Sequence, residues 1–83
     1  MAYNLFMMHV ENILNNYDIV GVIGNDTSDY YDISSELYYH SPYMLCLDDV
    51  KYYLLKIFQE YFGETFDKNS IPESMVEELY FYI

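Results

Sequence analysis

The segment DDVKYYLLKIFQEYFG, which runs from Asp48 to Gly63, decides the fold class of this 83-residue chain. Large side chains recur in it every three or four residues, which is the spacing of one face of an α-helix. Asp48 is expected to cap the start of this helix, with Asp49 in its first turn, and Gly63 to end it. The residues of the stripe are Val50, Tyr53, Leu54, Ile57, Phe58, Tyr61 and Phe62.

Two segments before this one show the same periodicity. Residues 2–16 predict a first helix whose apolar face consists of Phe6, Val10, Ile13, Leu14 and Tyr17. Residues 29–39 predict a second helix, which Ser28 is expected to cap and which ends at Ser41-Pro42 because the residue before a proline avoids helical angles. Its buried residues are expected to be Tyr30, Ile33 and Leu37.

A fourth helix is predicted to begin at Ser70. The residues Ser-Ile-Pro-Glu at 70–73 match a capping box with a proline in the first turn. The apolar face of this helix would consist of Ile71, Met75, Leu79 and Tyr82.

The chain between the first two helices is expected to be an irregular apolar loop. Residues 19–23 could instead form a short strand, but no second β-rich run is available to pair with it. The sequence therefore predicts an all-α fold, a single domain over residues 1–83, built as a small bundle of three or four short helices.

Four short motifs resemble the YugE-like family, a group of small acidic helical domains. They are YDIVG at residues 17–21, ND at 25–26, DYYD at 29–32 and LKIFQEYFGETF at 55–66. Ile19 stands where the family motif has proline. The family has no assigned chemistry, so the resemblance implies a helical fold and supplies no active site.

The charge balance excludes two classes of partner. The chain has 14 acidic residues against three lysines and no arginine, and its formal net charge is −11. Nucleic-acid binding requires cationic side chains that displace counterions from phosphates, so direct binding to nucleic acid is not expected. Binding to an anionic membrane surface is opposed by the same repulsion. Since 53% of the residues are hydrophobic, a folded core is expected despite the charge.

The sequence suggests a cytoplasmic protein. Cys46 is the single cysteine, so no internal disulfide can form, and its neighbours Leu45 and Leu47 suggest that it is buried. The first ten residues contain no basic residue of the kind that begins a secretory signal, and no uncharged apolar run approaches the length of a membrane span.

No constellation of residues points to catalysis, a metal or a cofactor. Asp26, Asp29 and Asp32 are spaced three apart, without the alternating ligands of a calcium loop, and are interpreted as caps and surface charge. His9, His40 and Cys46 match no zinc motif and no activated nucleophile. We therefore expect a protein that is not an enzyme.

The twelve tyrosines are the most informative residues. Neighbours on a helix point about 100° apart, so the tyrosine pairs at 30–31, 38–39 and 52–53 cannot all face the core. Tyr31, Tyr38 or Tyr39, Tyr43 and Tyr52 are expected to be partly exposed. Tyrosine offers a large contact area at a low entropic cost and is enriched at binding hot spots.

A charge of −11 exceeds what solubility requires and is suited to steering association with a basic partner. The predicted contact residues are Asp26, Asp29, Tyr31, Asp32, Glu36, Tyr39 and Tyr43. A rival acidic surface would combine Glu60, Glu64 and Asp67 with Glu73, Glu77 and Glu78.

These features lead to three hypotheses of function. The first is a non-enzymatic inhibitor of a basic protein, specifically an immunity protein that neutralises a nuclease toxin. The second is a phage anti-defence protein, such as an anti-CRISPR or DNA mimic that blocks a nucleic-acid-binding groove. The third is a structural or regulatory subunit of an oligomer.

Overall fold

The computed structural model describes residues 2–19 and 30–83, and within them the chain forms four α-helices. The helices are α1 (Tyr3–Tyr17), α2 (Tyr31–His40), α3 (Leu47–Phe62) and α4 (Glu73–Phe81). Short 3-10 turns follow α2 at Ser41–Tyr43 and precede α4 at Lys68–Ser70. The predicted all-α bundle is confirmed, and no strand occurs in these residues. The question of a strand at 19–23 falls mostly on residues 20–23, which lie outside the described ones.

The four helices enclose one apolar core. α1 packs against α2 and α4, and α3 packs against the same two helices, so α2 and α4 each lie between α1 and α3. Most of the apolar positions predicted from periodicity are buried, and the fully enclosed ones include Val10, Ile33, Leu37, Val50, Leu54, Phe58, Met75 and Leu79. The core is mainly aliphatic, because Phe6, Tyr30 and Phe58 are the only aromatic residues buried in the described part of the chain.

The helix starts differ from the capping predictions. α3 begins two residues earlier than expected: Cys46 rather than Asp48 is the N-cap residue, and Asp48 lies within the first turn. Leu47 packs against the core, which draws it into the helix. Asp49 Oδ2 accepts a hydrogen bond from the Leu45 N–H at 2.9 Å. The predicted cap of α2, Ser28, lies outside the described residues, and the residue that precedes α2 is Tyr30.

The predicted capping box at Ser70 is wrong. Ser70 belongs to a 3-10 turn in which Asp67 accepts a hydrogen bond from the Asn69 N–H. Ile71 precedes a proline, which disfavours helical angles, and its backbone is extended. The backbone of Pro72 is extended as well, so α4 starts at Glu73.

Cys46 is exposed, contrary to prediction. The backbone of Cys46 is extended, with φ −153° and ψ 173°, at the junction where the chain enters α3. Leu45 is also exposed, whereas Leu47 packs against the core, so the apolar flanks of the cysteine do not enclose it.

The end of α3 follows the prediction. Gly63 has a φ of +104°, and its N–H donates to the Gln59 carbonyl. The chain then folds back, so that the Phe66 ring stacks on Phe58 with a centroid distance of 5.1 Å. Among the helices of the described residues, none combines the length and the apolar character required to cross a bilayer.

Candidate protein-binding surface

The outward side of α2 carries carboxylates beside tyrosine rings. Asp32, Glu36 and Tyr39 are separated by four and three residues, so they share one face of the helix. Tyr39 is 66% exposed, whereas Leu37 on the opposite side is fully buried. The burial of Ile33 and Leu37 fixes the rotation of α2 and thereby directs this face to solvent.

On the α1 side, Tyr31 is held by a hydrogen bond between two tyrosines. Its hydroxyl lies 3.1 Å from the hydroxyl of Tyr3, which also lies 3.5 Å from Ser35 Oγ. The Tyr3 ring packs edge-on against Tyr38. The hydrogen bonds of Tyr3 with Ser35 and Tyr31 lower the pKa of Tyr3, and the same Tyr3–Tyr31 bond raises the pKa of Tyr31. The hydrogen bond to Tyr3 therefore positions Tyr31 although its ring is partly exposed.

On the α3 side, Tyr61 extends the same surface. Its pKa is raised by burial first and then by the negative charges of Glu36 and Asp32, which shows that the phenol lies near both carboxylates. The side chain remains partly exposed. We call Tyr31, Asp32, Glu36, Tyr39 and Tyr61 the α2 surface.

His40 borders this surface at the end of α2. Its ring stacks on Tyr53 of α3 at a centroid distance of 5.0 Å, and its Nε2 lies 3.5 Å from Glu36 Oε2. The imidazole therefore bridges the two helices beside Glu36.

Four of the seven contact residues predicted from the sequence belong to the α2 surface. Asp26 and Asp29 lie outside the described residues. Tyr43 follows α2 in the 3-10 turn and is 65% exposed. The predicted exposure of Tyr31, Tyr43 and Tyr52 is confirmed, and of the alternatives Tyr38 and Tyr39 it is Tyr39 that is exposed. Tyr38 packs against the core. Tyr61 was missed because its spacing assigns it to the buried stripe of α3, and only the packing of α3 beside α2 gives it carboxylate neighbours.

The rival acidic residues do not gather in one hollow. Glu60 and Glu64 line a shallow hollow at the end of α3, together with Lys56, Gln59 and Gly63. Glu73 instead forms an ion pair with Lys51 of α3, at 2.9 Å between Nζ and Oε2. Glu77 and Glu78 line a separate groove between α1 and α4, and Asp67 caps the 3-10 turn at Lys68–Ser70.

The described residues offer no grouping of three or more His, Cys, Asp or Glu side chains that could hold a metal ion. Every fully buried side-chain polar atom among them has a hydrogen-bond partner. Ser34, for example, donates from Oγ to the Tyr30 carbonyl at 2.7 Å. The α2 surface presents carboxylate oxygens, which accept hydrogen bonds, beside phenol rings. These groups are suited to contact with cationic and planar side chains.

Comparisons of the chain with models of protein families, with curated proteins and with solved structures find no match. The YugE-like resemblance therefore stays a prediction.

Proposed function

We propose that this protein is a non-enzymatic inhibitor that binds a basic protein through the α2 surface. The target we propose is a nuclease toxin in the cytoplasm, which would make the chain an immunity protein. The observation that carries the proposal is that exposed tyrosines of α2 and α3 surround the carboxylates Asp32 and Glu36 on one surface of the bundle.

Electrostatics supports a basic target. Lys51–Glu73 is the one lysine–carboxylate ion pair among the described residues, so the acidic surface is little neutralised from within the molecule. Complementary charge accelerates the encounter of two proteins, and a nuclease must itself carry cationic side chains that attract phosphates. The inhibitor would oppose its carboxylates to those side chains.

The tyrosines would supply the short-range contact. Tyr31 is held by the hydrogen bond between its hydroxyl and that of Tyr3, so it has less side-chain entropy to lose on binding. Rigid aromatic side chains at the centre of an interface contribute disproportionately to affinity. A positioned phenol beside a carboxylate is therefore well suited to anchor an arginine or an aromatic residue of the target.

The test begins with affinity capture from the native host lysate, followed by binding and inhibition measurements with the purified target. We expect a basic nuclease, bound one to one and inhibited at that ratio. The variant Asp32→Asn/Glu36→Gln should reduce the association rate, whereas Glu60→Gln/Glu64→Gln, which removes the same charge elsewhere, should reduce it less. Equal effects of the two variants, or an association rate unchanged between about 50 mM and about 500 mM NaCl, would contradict the proposal.

The same surface favours a second candidate, a phage anti-defence protein that mimics DNA. Carboxylates beside aromatic rings resemble phosphates beside bases. In that case a DNA duplex should compete with the protein for its target, and the target should be a nucleic-acid-binding effector that is not a toxin. Failure of duplex DNA to displace the protein would exclude this alternative.

A further inference from the structure

A groove of about 620 Å³ runs between α1 and α4, away from the α2 surface. One wall belongs to α1, where His9, Asn12 and Asn16 recur every three or four residues, and Ile13 contributes buried apolar surface. The other wall belongs to the outward side of α4. The volume lies within the range of pockets that bind small ligands or single side chains.

The α4 wall carries two carboxylates without a lysine beside them. Glu77 and Glu78 both line the groove and are exposed, and none of the lining residues is a lysine. The hydroxyl of Tyr17 donates a hydrogen bond to Glu78 and lies 2.9 Å from Ser74 Oγ. This bond to Glu78 raises the pKa of Tyr17 and holds the carboxylate in place. The groove therefore presents two carboxylates, of which Glu78 is held by Tyr17, with no lysine in its lining.

Aromatic rings lie beside these carboxylates. The rings of His9 and Tyr82 stack at a centroid distance of 4.3 Å and an interplanar angle of 11°. Phe81 packs edge-on against Tyr82 and is nevertheless 81% exposed. A phenylalanine that shows most of its surface to solvent at the rim of a groove is available to cover a ligand.

Carboxylates beside exposed flat rings match one side chain above all. The guanidinium group of arginine is planar, forms paired hydrogen bonds with carboxylates and stacks on aromatic faces. Lysine can pair with the charge, but its compact ammonium cannot use the ring in the same way. Another copy of this chain cannot supply the ligand, because the sequence contains no arginine and each copy carries a charge of −11.

We propose that the α1–α4 groove binds an arginine side chain presented by a partner protein, with Glu77 and Glu78 pairing the guanidinium and Phe81 covering it. Apolar residues next to that arginine would contact Phe81 and the buried edge of Ile13. This inference is independent of the proposed function, because the groove and the α2 surface share no residue.

The test uses ¹⁵N-labelled protein and the peptide probe Ac-Leu-Arg-Leu-NH2, followed by NMR titration. The control probe replaces arginine with citrulline, which keeps the shape and loses the charge. We expect shifts confined to the amides of α1 and α4 that line the groove, and binding of the citrulline probe weaker by about tenfold or more.

Matched variants distinguish the groove from general attraction to an acidic protein. Glu77→Gln/Glu78→Gln should weaken binding of the arginine probe by about tenfold, and Phe81→Ala by about threefold. Glu60→Gln/Glu64→Gln removes the same charge from the end of α3. This control should change the affinity by less than about twofold, whereas the groove variant changes it by about tenfold. Glutamine at position 78 can still accept the Tyr17 hydrogen bond, so the fold is retained, which the spectrum itself verifies. Shifts spread over α2 and α3, equal effects of the two double variants, or equal binding of the citrulline probe would overturn the proposal.

Discussion

Gly63 offers the sharpest test of how α3 ends. Its φ of +104° and ψ of 153° lie in a region that only glycine occupies readily. A Cβ built at this position meets no atom within 4 Å, so a substitution causes no collision. The whole cost of Gly63→Ala is therefore the backbone conformation, about 1–3 kcal/mol.

That cost is a large share of the stability of an 83-residue domain. At 0.05–0.15 kcal/mol per residue, its free energy of unfolding is about 4–12 kcal/mol. Each kcal/mol lowers the melting temperature of a domain of this size by about 4–8 °C. Gly63→Ala should thus lower the melting temperature, followed by circular dichroism, by at least several degrees. Urea unfolding should show the corresponding loss of about 1–3 kcal/mol in the free energy of unfolding.

A D-alanine at position 63 separates the backbone cost from other causes. The angles of Gly63 are close to the mirror image of an ordinary extended conformation, so a D residue accepts them. D-alanine should be neutral or stabilising by up to about 1 kcal/mol, because it restricts the unfolded chain. The D-alanine variant can be made by chemical synthesis, because Cys46 permits ligation of two synthetic segments at the Leu45–Cys46 bond.

The control is Glu64→Ala, an exposed neighbour whose effect should stay within about 0.5 kcal/mol. Equal destabilisation by L-alanine and D-alanine would refute the backbone argument, as would an L-alanine variant as stable as the natural protein.

Two further predictions concern aromatic residues. Phe58 is fully buried and stacks on Phe62 and Phe66, so Phe58→Ala should cost about 3–5 kcal/mol in urea unfolding. Phe58→Leu should cost less, and a leucine variant as damaging as the alanine one would show that ring stacking outweighs burial. The pKa of Tyr17 is raised by its bond to Glu78, so the stability from this bond is complete below the ordinary tyrosine pKa, near 10, and is lost as pH rises through the raised value. NMR titration of Tyr17 should show its pKa falling towards the ordinary value in Glu78→Gln, and an unchanged pKa would contradict the assignment.

The α2 surface and the α1–α4 groove give the protein two acidic faces with different characters. The first combines tyrosines of α2 and α3 with two carboxylates of α2, and the second combines two carboxylates with a phenylalanine at the rim of a concave site. A basic partner large enough to reach both would gain from each. The variants proposed above lie on separate faces, so their effects can be measured separately and then combined.

The sequence by itself determined the helical class, the apolar stripes and the end of α3, because these depend on short-range periodicity and on the backbone angles of glycine. It also determined the outward direction of Asp32 and Glu36, since one buried stripe on a short helix fixes the opposite side, whereas the structure decided that Tyr39 rather than Tyr38 is exposed. The first residues of α3 and α4 could not be predicted from the sequence, because the packing of Leu47 and the extended backbone before Pro72 outweigh the local capping signals.

Only the tertiary structure decided which helix faces meet. His9 and Tyr82 lie at opposite ends of the sequence, and their stacking follows from the packing of α1 against α4. Tyr61 likewise gains its carboxylate neighbours only because α3 packs beside α2. Periodicity assigns each residue to a face of its own helix, whereas the pairing of faces depends on how the helices bury their apolar stripes together in one core.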